Sequence, residues 1–239
     1  MLVHHGESRS LQADRHLAWS LAGIAGGLNA AGFYAVGLYS SNMTGNVSAL
    51  ADHGALGDFG PGLLFLAIVL TFIGGAIVST LLINAGRRRA RAGIYAFSIL
   101  AEAVLLAALA AVDLWLGVGR GALLVFGLSF LMGLQNAVVT RLSNARVRTT
   151  HVTGMVTDIG IELGNLADNA WHRGRQHVSD FNREKLVLHG QTVLSFLGGG
   201  VLGVLGYRAM GGWLLFIGAG LLLALAIPAL LATRRHAVS

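Results

Sequence analysis

The chain has 239 residues, of which 54% are hydrophobic and only 12% are charged, and its mean hydropathy is +0.67. A soluble domain carries about a quarter charged residues, so this composition excludes an ordinary soluble protein and indicates a membrane protein. Cysteine is absent, which excludes disulfides, zinc–thiolate sites and thiol catalysis.

Six stretches are long and apolar enough to cross a bilayer, because a spanning helix needs about 20 apolar residues. They run roughly over Leu17–Tyr39, Gly62–Ala85, Ala92–Val112, Gly121–Thr140, Leu186–Tyr207 and Gly211–Ala232. We therefore predict an all-α, polytopic membrane protein of about six transmembrane helices, forming a single transmembrane domain over residues 1–239.

The basic residues are distributed unevenly among the connections. The net charge is +6, and all but two of the 17 Lys and Arg residues lie before the first stretch, in the second and fourth connections, or in the tail. The exceptions are Arg120 and Arg208. By the positive-inside rule, the basic connections and both termini are predicted to be cytoplasmic. The positive charge is then explained by topology, without a nucleic-acid partner.

Three short patterns occur in both halves of the chain, in the same order. "GLNA" at 27–30 is similar to "GLQNA" at 133–137, Thr44-Gly45 matches Thr153-Gly154, and "TFIGGAIVS" at 71–79 is similar to "SFLGGGVLG" at 195–203. The offsets are 107 (Ala30 to Ala137), 109 (Thr44 to Thr153) and 124 (Gly75 to Gly199). We therefore predict two repeats, over 17–113 and 120–233, with a cytoplasmic connection over 141–185 inside the second repeat.

Each repeat contains three spans, so the second enters the membrane from the opposite side. Such inverted repeats are common in secondary transporters. Each repeat is predicted to hold its Thr-Gly loop and a short amphipathic or re-entrant helix. A simple count of spans places the two loops near opposite membrane surfaces, which favours gates over a central site. A broken or re-entrant span would change that placement.

The stretches "GLNAAGFYAVGLYSSNMTGN", "GLQNAVVTRL" and "RTTHVTG" resemble the YoaK-like family of small bacterial integral membrane proteins, a domain of unknown function. The most specific elements are Met43-Thr44-Gly45-Asn46 and Gly133-Leu134-Gln135-Asn136-Ala137. The resemblance covers nearly the whole chain. It implies a location in the bacterial inner membrane, and it supplies no substrate or reaction.

The two Thr-Gly motifs are candidates for a substrate-binding or gating site. Thr44, Gly45 and Asn46 open one predicted helix, and Thr153 and Gly154 open another. A threonine can cap the free N–H groups of a first turn, and a helix N-terminus attracts anions. The alternative is a capped helix at the membrane interface, in which the glycine only allows a turn.

Three amides lie within apolar spans, at matching places in the two repeats: Asn29 in the first, and Gln135 and Asn136 in the fourth. Paired by the repeat, they could flank a central polar site. Alternatively, they hydrogen-bond neighbouring helices and serve as packing contacts, as amides in membrane helices often do.

Glu102 lies in the middle of the third span, where an ionised carboxylate is costly and acids usually face a bundle interior or a cavity. It is a candidate for proton coupling, and the alternative is a structural acid. Asp158 and Glu162 belong to a polar stripe on the helix after Thr153. That stripe could line a cation or proton path, although it more often marks the solvated face of a surface helix.

The glycine-rich helices suit close packing, either within one chain or across a homodimer. No motif of a hydrolase, nucleotide-binding protein or zinc enzyme occurs, so we predict no catalytic residue, metal or cofactor.

We predict a transporter or channel for a small solute, with proton coupling through Glu102 as an open possibility. The alternative is a membrane scaffold or regulator that docks a partner through the 141–185 segment.

Overall fold

The computed structural model describes residues 11–89, 93–172 and 179–236. Within these ranges the chain forms eight α-helices and no β-strand, which confirms the all-α prediction. The helices are α1 (Leu11–Val36), α2 (Met43–Ala55), α3 (Phe59–Arg88), α4 (Ile94–Trp115), α5 (Arg120–Leu142), α6 (Val152–Trp171), α7 (Arg183–Met210) and α8 (Trp213–His236). Arg9, Arg91, Arg173 and Arg175, which contribute to the charge distribution, lie outside the described ranges.

Five of the described helices are long and apolar enough to cross a membrane: α3, α4, α5, α7 and α8. They correspond to five of the six predicted spans. The sixth, α1, has 26 residues and is therefore long enough, but it does not meet the same criterion of apolarity. Its first turns carry Asp14, Arg15 and His16.

Large apolar side chains are exposed along the outer helices. On α3 they include Leu70, Ile77 and Leu81, and on α7 they include Leu194 and Leu197. The buried apolar core lies instead mainly on α4 and α5, with contributions from α1 and α8. This distribution suits a helix bundle with lipid around it, because lipid tails accept apolar side chains as readily as a core does.

Two helix pairs approach closely at glycines. In the α1–α7 pair, a Cβ atom added at Gly26 would lie 2.1 Å from the carbonyl oxygen of Phe196. In the α5–α3 pair, a Cβ atom added at Gly133 would lie 2.0 Å from the carbonyl oxygen of Phe72. Only glycine allows two helix backbones to come this close.

A second set of glycines makes the reciprocal contacts in the same pairs. A Cβ atom at Gly199 would lie 1.9 Å from the carbonyl oxygen of Gly23, and one at Gly75 would lie 2.0 Å from that of Phe130. These glycines therefore serve packing within the chain, one of the two roles predicted for them. The homodimer stays a prediction.

The helices α2 and α6 begin at the two Thr-Gly motifs, with the threonine and glycine of each in the first turn. Capping by Thr44, which the sequence allowed, does not occur: the N-cap residue is Asn42, whose side chain accepts a hydrogen bond from the Gly45 N–H. A first-turn threonine already has helical backbone angles, so its hydroxyl cannot take the capping position.

Candidate solute site

The connection after α1 folds back along that helix. Helix α1 ends just before Gly37, whose φ of 74° is readily adopted only by glycine. The backbone N–H of Ser41 then donates a 3.0 Å hydrogen bond to Asn29 Oδ1, and the Ser40 hydroxyl donates to the same oxygen over 3.4 Å. Since Asn29 lies about two turns before the end of α1, the start of α2 lies well inside the length of α1.

The connection after α5 folds back in the same way. It reverses at Asn144 and Ala145, both with positive φ. The Thr150 hydroxyl then donates to Asn136 Oδ1 over 3.1 Å, and the Thr149 hydroxyl donates to Gln135 Oε1 over 3.3 Å. The amides of α1 and α5 therefore hold the connections that lead into α2 and α6.

Because both connections fold back, the two Thr-Gly motifs lie at one cavity of about 600 Å³. The simple count of spans predicted instead that the two motifs lie near opposite membrane surfaces. Of the predicted site residues, the structure brings together Asn29, Thr44, Asn136 and Thr153. The full lining is Asn29, Tyr39, Ser41, Asn42, Met43, Thr44, Phe72, Asn136, Thr140, Arg148, Thr150, His151, Val152, Thr153 and Phe196.

Gly45, Asn46 and Gly154 lie next to the cavity without lining it. A Cβ atom at Gly45 would lie 2.3 Å from the Asn42 side chain, and one at Gly154 would lie 2.3 Å from the His151 ring. The glycine of each motif therefore leaves room for the residue that precedes the helix. Asn46 is buried, and its amide donates a long 3.5 Å hydrogen bond to the Tyr39 carbonyl.

The cavity presents hydrogen-bond donors and positive charge. It contains the first turns of two helices, whose N–H groups and dipoles carry partial positive charge. The N-cap of α6, His151, makes no capping hydrogen bond through its side chain. The guanidinium of Arg148 lies 3.1 Å from His151 Nδ1. None of the described lining residues is acidic.

Glu102 and Gln135 form a buried network beside the cavity. Glu102 is fully buried on α4, and its Oε1 accepts a 2.9 Å hydrogen bond from Gln135 Nε2. Gln135 in turn accepts the hydrogen bond from Thr149, which is also fully buried. Among the described residues, Glu102 Oε2 has no hydrogen-bond partner. Glu102 therefore lies outside the cavity. Two hydrogen bonds, through Gln135 and Thr149, link it to the connection that forms part of the cavity wall.

Asp158 and Glu162 contact the start of α7. Lys185 Nζ lies 2.9 Å from Asp158 Oδ1 and 3.8 Å from Glu162 Oε1. The hydrogen bond from Lys185 lowers the pKa of Asp158 below its usual value. Glu162 also accepts a 2.8 Å hydrogen bond from the backbone N–H of Asn182. The polar stripe of α6 thus binds its own chain, and neither acid lines the cavity that the two Thr-Gly motifs share.

Sequence reasoning missed several lining residues, notably Arg148, Phe72 and Phe196. Each of them stood in a stretch already singled out, since Arg148 opens "RTTHVTG" and the two phenylalanines occupy matching places in "TFIGG" and "SFLGG". The arginine was used only to assign topology. A comparison of the repeats position by position would have paired the two phenylalanines.

A family model described as "Protein of unknown function (DUF1275)" matches residues 17–228. The chain belongs to the DUF1275 family. This confirms the resemblance to the YoaK-like family. The DUF1275 match runs from α1 into α8, so it includes both folded-back connections and every residue that lines the cavity. No curated protein and no solved structure matched the chain.

Proposed function

We propose that this protein is a transporter or channel for a small solute, and that the cavity between α2 and α6 is its solute site. One observation carries the proposal. The two Thr-Gly motifs are far apart in the chain, yet Thr44 and Thr153 line one cavity together with Asn29 and Asn136. Broken helices whose N-termini face a shared site are the usual way in which secondary transporters bind a solute.

The helix contacts support an inverted repeat. The offset of 107 that relates Ala30 to Ala137 also relates Gly26 to Gly133, and the offset of 124 relates Phe72 to Phe196. The contact of Gly26 with Phe196 therefore has its counterpart in the contact of Gly133 with Phe72. A pseudo-two-fold axis would make these contacts equivalent, and repeats that arose by duplication would retain them.

The same offsets pair the residues around the cavity. Asn29 corresponds to Asn136, and Phe72 corresponds to Phe196, so each half contributes the same kinds of residue to the wall. A site on the axis between two inverted halves can open to either side when one half rocks against the other. In our proposal, the cavity lies on the axis between the two inverted halves.

Proton coupling is supported by the buried hydrogen bonds behind the wall. Glu102 reaches the cavity through Gln135 and Thr149, which immediately precedes the lining residue Thr150. A change of protonation at Glu102 would change its hydrogen bond with Gln135. Because Gln135 also holds Thr149, the connection before α6 would then shift. Intramembrane acids with such partners often belong to proton pathways.

We place the protein in the bacterial inner membrane with both termini in the cytoplasm, as the basic connections indicate. Docking of a partner through residues 141–185 is the weaker alternative. Within that segment, the polar stripe of α6 is already bound by Asn182 and Lys185. Residues 173–178 of that segment lie outside the described ranges.

The proposal is tested by measuring solute flux into proteoliposomes by stopped-flow light scattering. The panel contains urea, glycerol, alanine, choline chloride and the potassium salts of nitrate, acetate and phosphate. We expect flux of at least one solute above that of empty liposomes, and a strong reduction in Thr44→Val and Thr153→Val. Thr157→Val is the matched control, because its hydroxyl donates to the Thr153 carbonyl and does not line the cavity. Equal flux in protein-containing and empty liposomes would refute the transporter or channel.

A further inference from the structure

Arg148 brings a positive charge to the cavity and forms no ion pair with any described residue. Among the described residues, the one polar partner of its guanidinium is His151 Nδ1, at 3.1 Å. Among the described residues, no carboxylate lies within ion-pair distance of Arg148, although Arg146 pairs with Asp14 at 3.0 Å and Lys185 with Asp158 at 2.9 Å. Arg148 is exposed, so a solute in the cavity can reach its guanidinium.

The groups that surround Arg148 add further positive potential. Helices α2 and α6 have 13 and 20 residues, and both begin at the cavity. Each N-terminus is equivalent to about half a positive charge. The hydroxyls of Thr44 and Thr153 lie in these first turns and donate to no described protein group. The wall thus offers a cation, two dipoles and several O–H and N–H donors, and no described lining residue is acidic.

Arg148 also borders a second, smaller cavity of about 380 Å³. This cavity shares Arg148 and His151 with the first and is further lined by Arg146, Lys185 and His189. Its acidic lining residues are Asp158 and Glu184, and Asp158 is neutralised by Lys185. Arg148 therefore lies in the wall of both cavities, and both contain cationic side chains.

We propose that the solute is a small anion whose charge is carried by oxygen atoms, such as a carboxylate or an oxyanion, and that Arg148 binds it. This inference rests on the proposed transport function and names its substrate class. The planar guanidinium can donate two parallel hydrogen bonds to such a group. The first-turn N–H groups and the two threonine hydroxyls would bind the remaining oxygens, as helix N-termini do with phosphate and carboxylate.

The test uses the full chain in proteoliposomes, with acetate, nitrate, phosphate and sulfate as anionic probes. Urea, glycerol and choline serve as neutral and cationic probes, and valinomycin with potassium removes any limit from charge build-up. We expect wild type to pass at least one anion and Arg148→Gln to pass it about tenfold to a hundredfold more slowly, since a charge-assisted hydrogen bond is lost. Arg148→Lys keeps the positive charge but loses the two parallel hydrogen-bond donors of the guanidinium, so it should give an intermediate rate.

Arg141→Gln is the matched control, because Arg141 lies in the last turn of α5, just before that connection, and bonds to Asn84 without lining either cavity. It should conduct like wild type. Gel filtration and the intermediate rate of Arg148→Lys distinguish loss of binding from misfolding. If wild type passes only urea, glycerol or choline, or if a folded Arg148→Gln passes anions at the wild-type rate, the anion proposal is wrong while transport stands. If no probe of any class passes, the transport proposal fails as well.

Discussion

Single amide side chains determine where the two helix N-termini lie. Asn29 and Asn136 each accept a hydrogen bond from the connection that follows their own helix, and so hold it against the helix side. A hydrogen bond of this kind contributes about 1 kcal/mol to stability in net terms, and leaving a buried partner unsatisfied costs about 1–3 kcal/mol. Both amides also line the cavity. The packing role and the site role proposed for them are therefore compatible.

At this scale we predict that Glu102→Gln folds normally but loses pH-dependent transport. The glutamine keeps an oxygen that can accept from Gln135 Nε2, so the buried hydrogen bond of 2.9 Å is retained, while the exchangeable proton is removed. The check is the solute flux of wild type and variant from about pH 5 to 8, because intramembrane acids often belong to proton relays, together with the melting temperature.

Ser98→Ala is a suitable control on the same helix, because among the described residues its hydroxyl bonds only to the Ile94 carbonyl one turn earlier. It should leave both the flux and its pH profile unchanged. If the flux of Glu102→Gln retains the wild-type pH profile, Glu102 is a structural acid and proton coupling through it is refuted.

Pairs of helices are held together by backbone contact at glycines. In α3 and α7 the decisive positions are Gly75 and Gly199, each facing a carbonyl oxygen of the partner helix. Their chain neighbours Gly74 and Gly198 have no atom within 4 Å of an added Cβ. In each of these adjacent pairs, only the second glycine therefore makes the close backbone contact.

We predict that Gly75→Ala and Gly199→Ala lower the free energy of unfolding by about 1–3 kcal/mol, because the new methyl group forces the helix backbones apart. Gly74→Ala and Gly198→Ala should be neutral or stabilise slightly, since alanine favours helix over glycine by about 1 kcal/mol. The melting temperatures of the four variants in detergent check the prediction. Similar losses at the neighbouring glycines would show that the backbones do not meet as described.

The sequence predicted the helices better than their ends. Runs of apolar residues are a local property, so the five strongest spans could be predicted from composition alone. The first predicted span ran to Tyr39, whereas α1 ends at Val36 because Gly37 breaks it and the chain turns back to Asn29. That turn depends on a hydrogen bond across twelve residues, and no local pattern reveals it.

At the scale of the whole molecule, the candidate site arises from the meeting of two distant segments. The sequence identified Thr44 and Thr153 as related, because the same letters recur beside apolar runs. It could not show that the two threonines lie close together, because a count of uninterrupted spans puts the first and fourth connections on opposite sides of the membrane. Arg148 was missed for a related reason: a basic residue in a connection was attributed to topology, and its position at the cavity depends on the fold.

The measurement that tests the central claim most directly is cross-linking between the two motifs in native membranes. Since the chain contains no cysteine, the double variant Thr44→Cys/Thr153→Cys carries only the two intended thiols. A short bifunctional thiol reagent, read out by intact mass, should bridge them within one chain. Thr44→Cys/Trp171→Cys is the control, because Trp171 lies at the far end of α6, about 27 Å along the helix from Thr153.

Our account predicts a bridge in the first pair only, and less bridging when a transported solute is present. Two separate additions and no bridge in the first pair would show that the motifs do not share a cavity, and would contradict it.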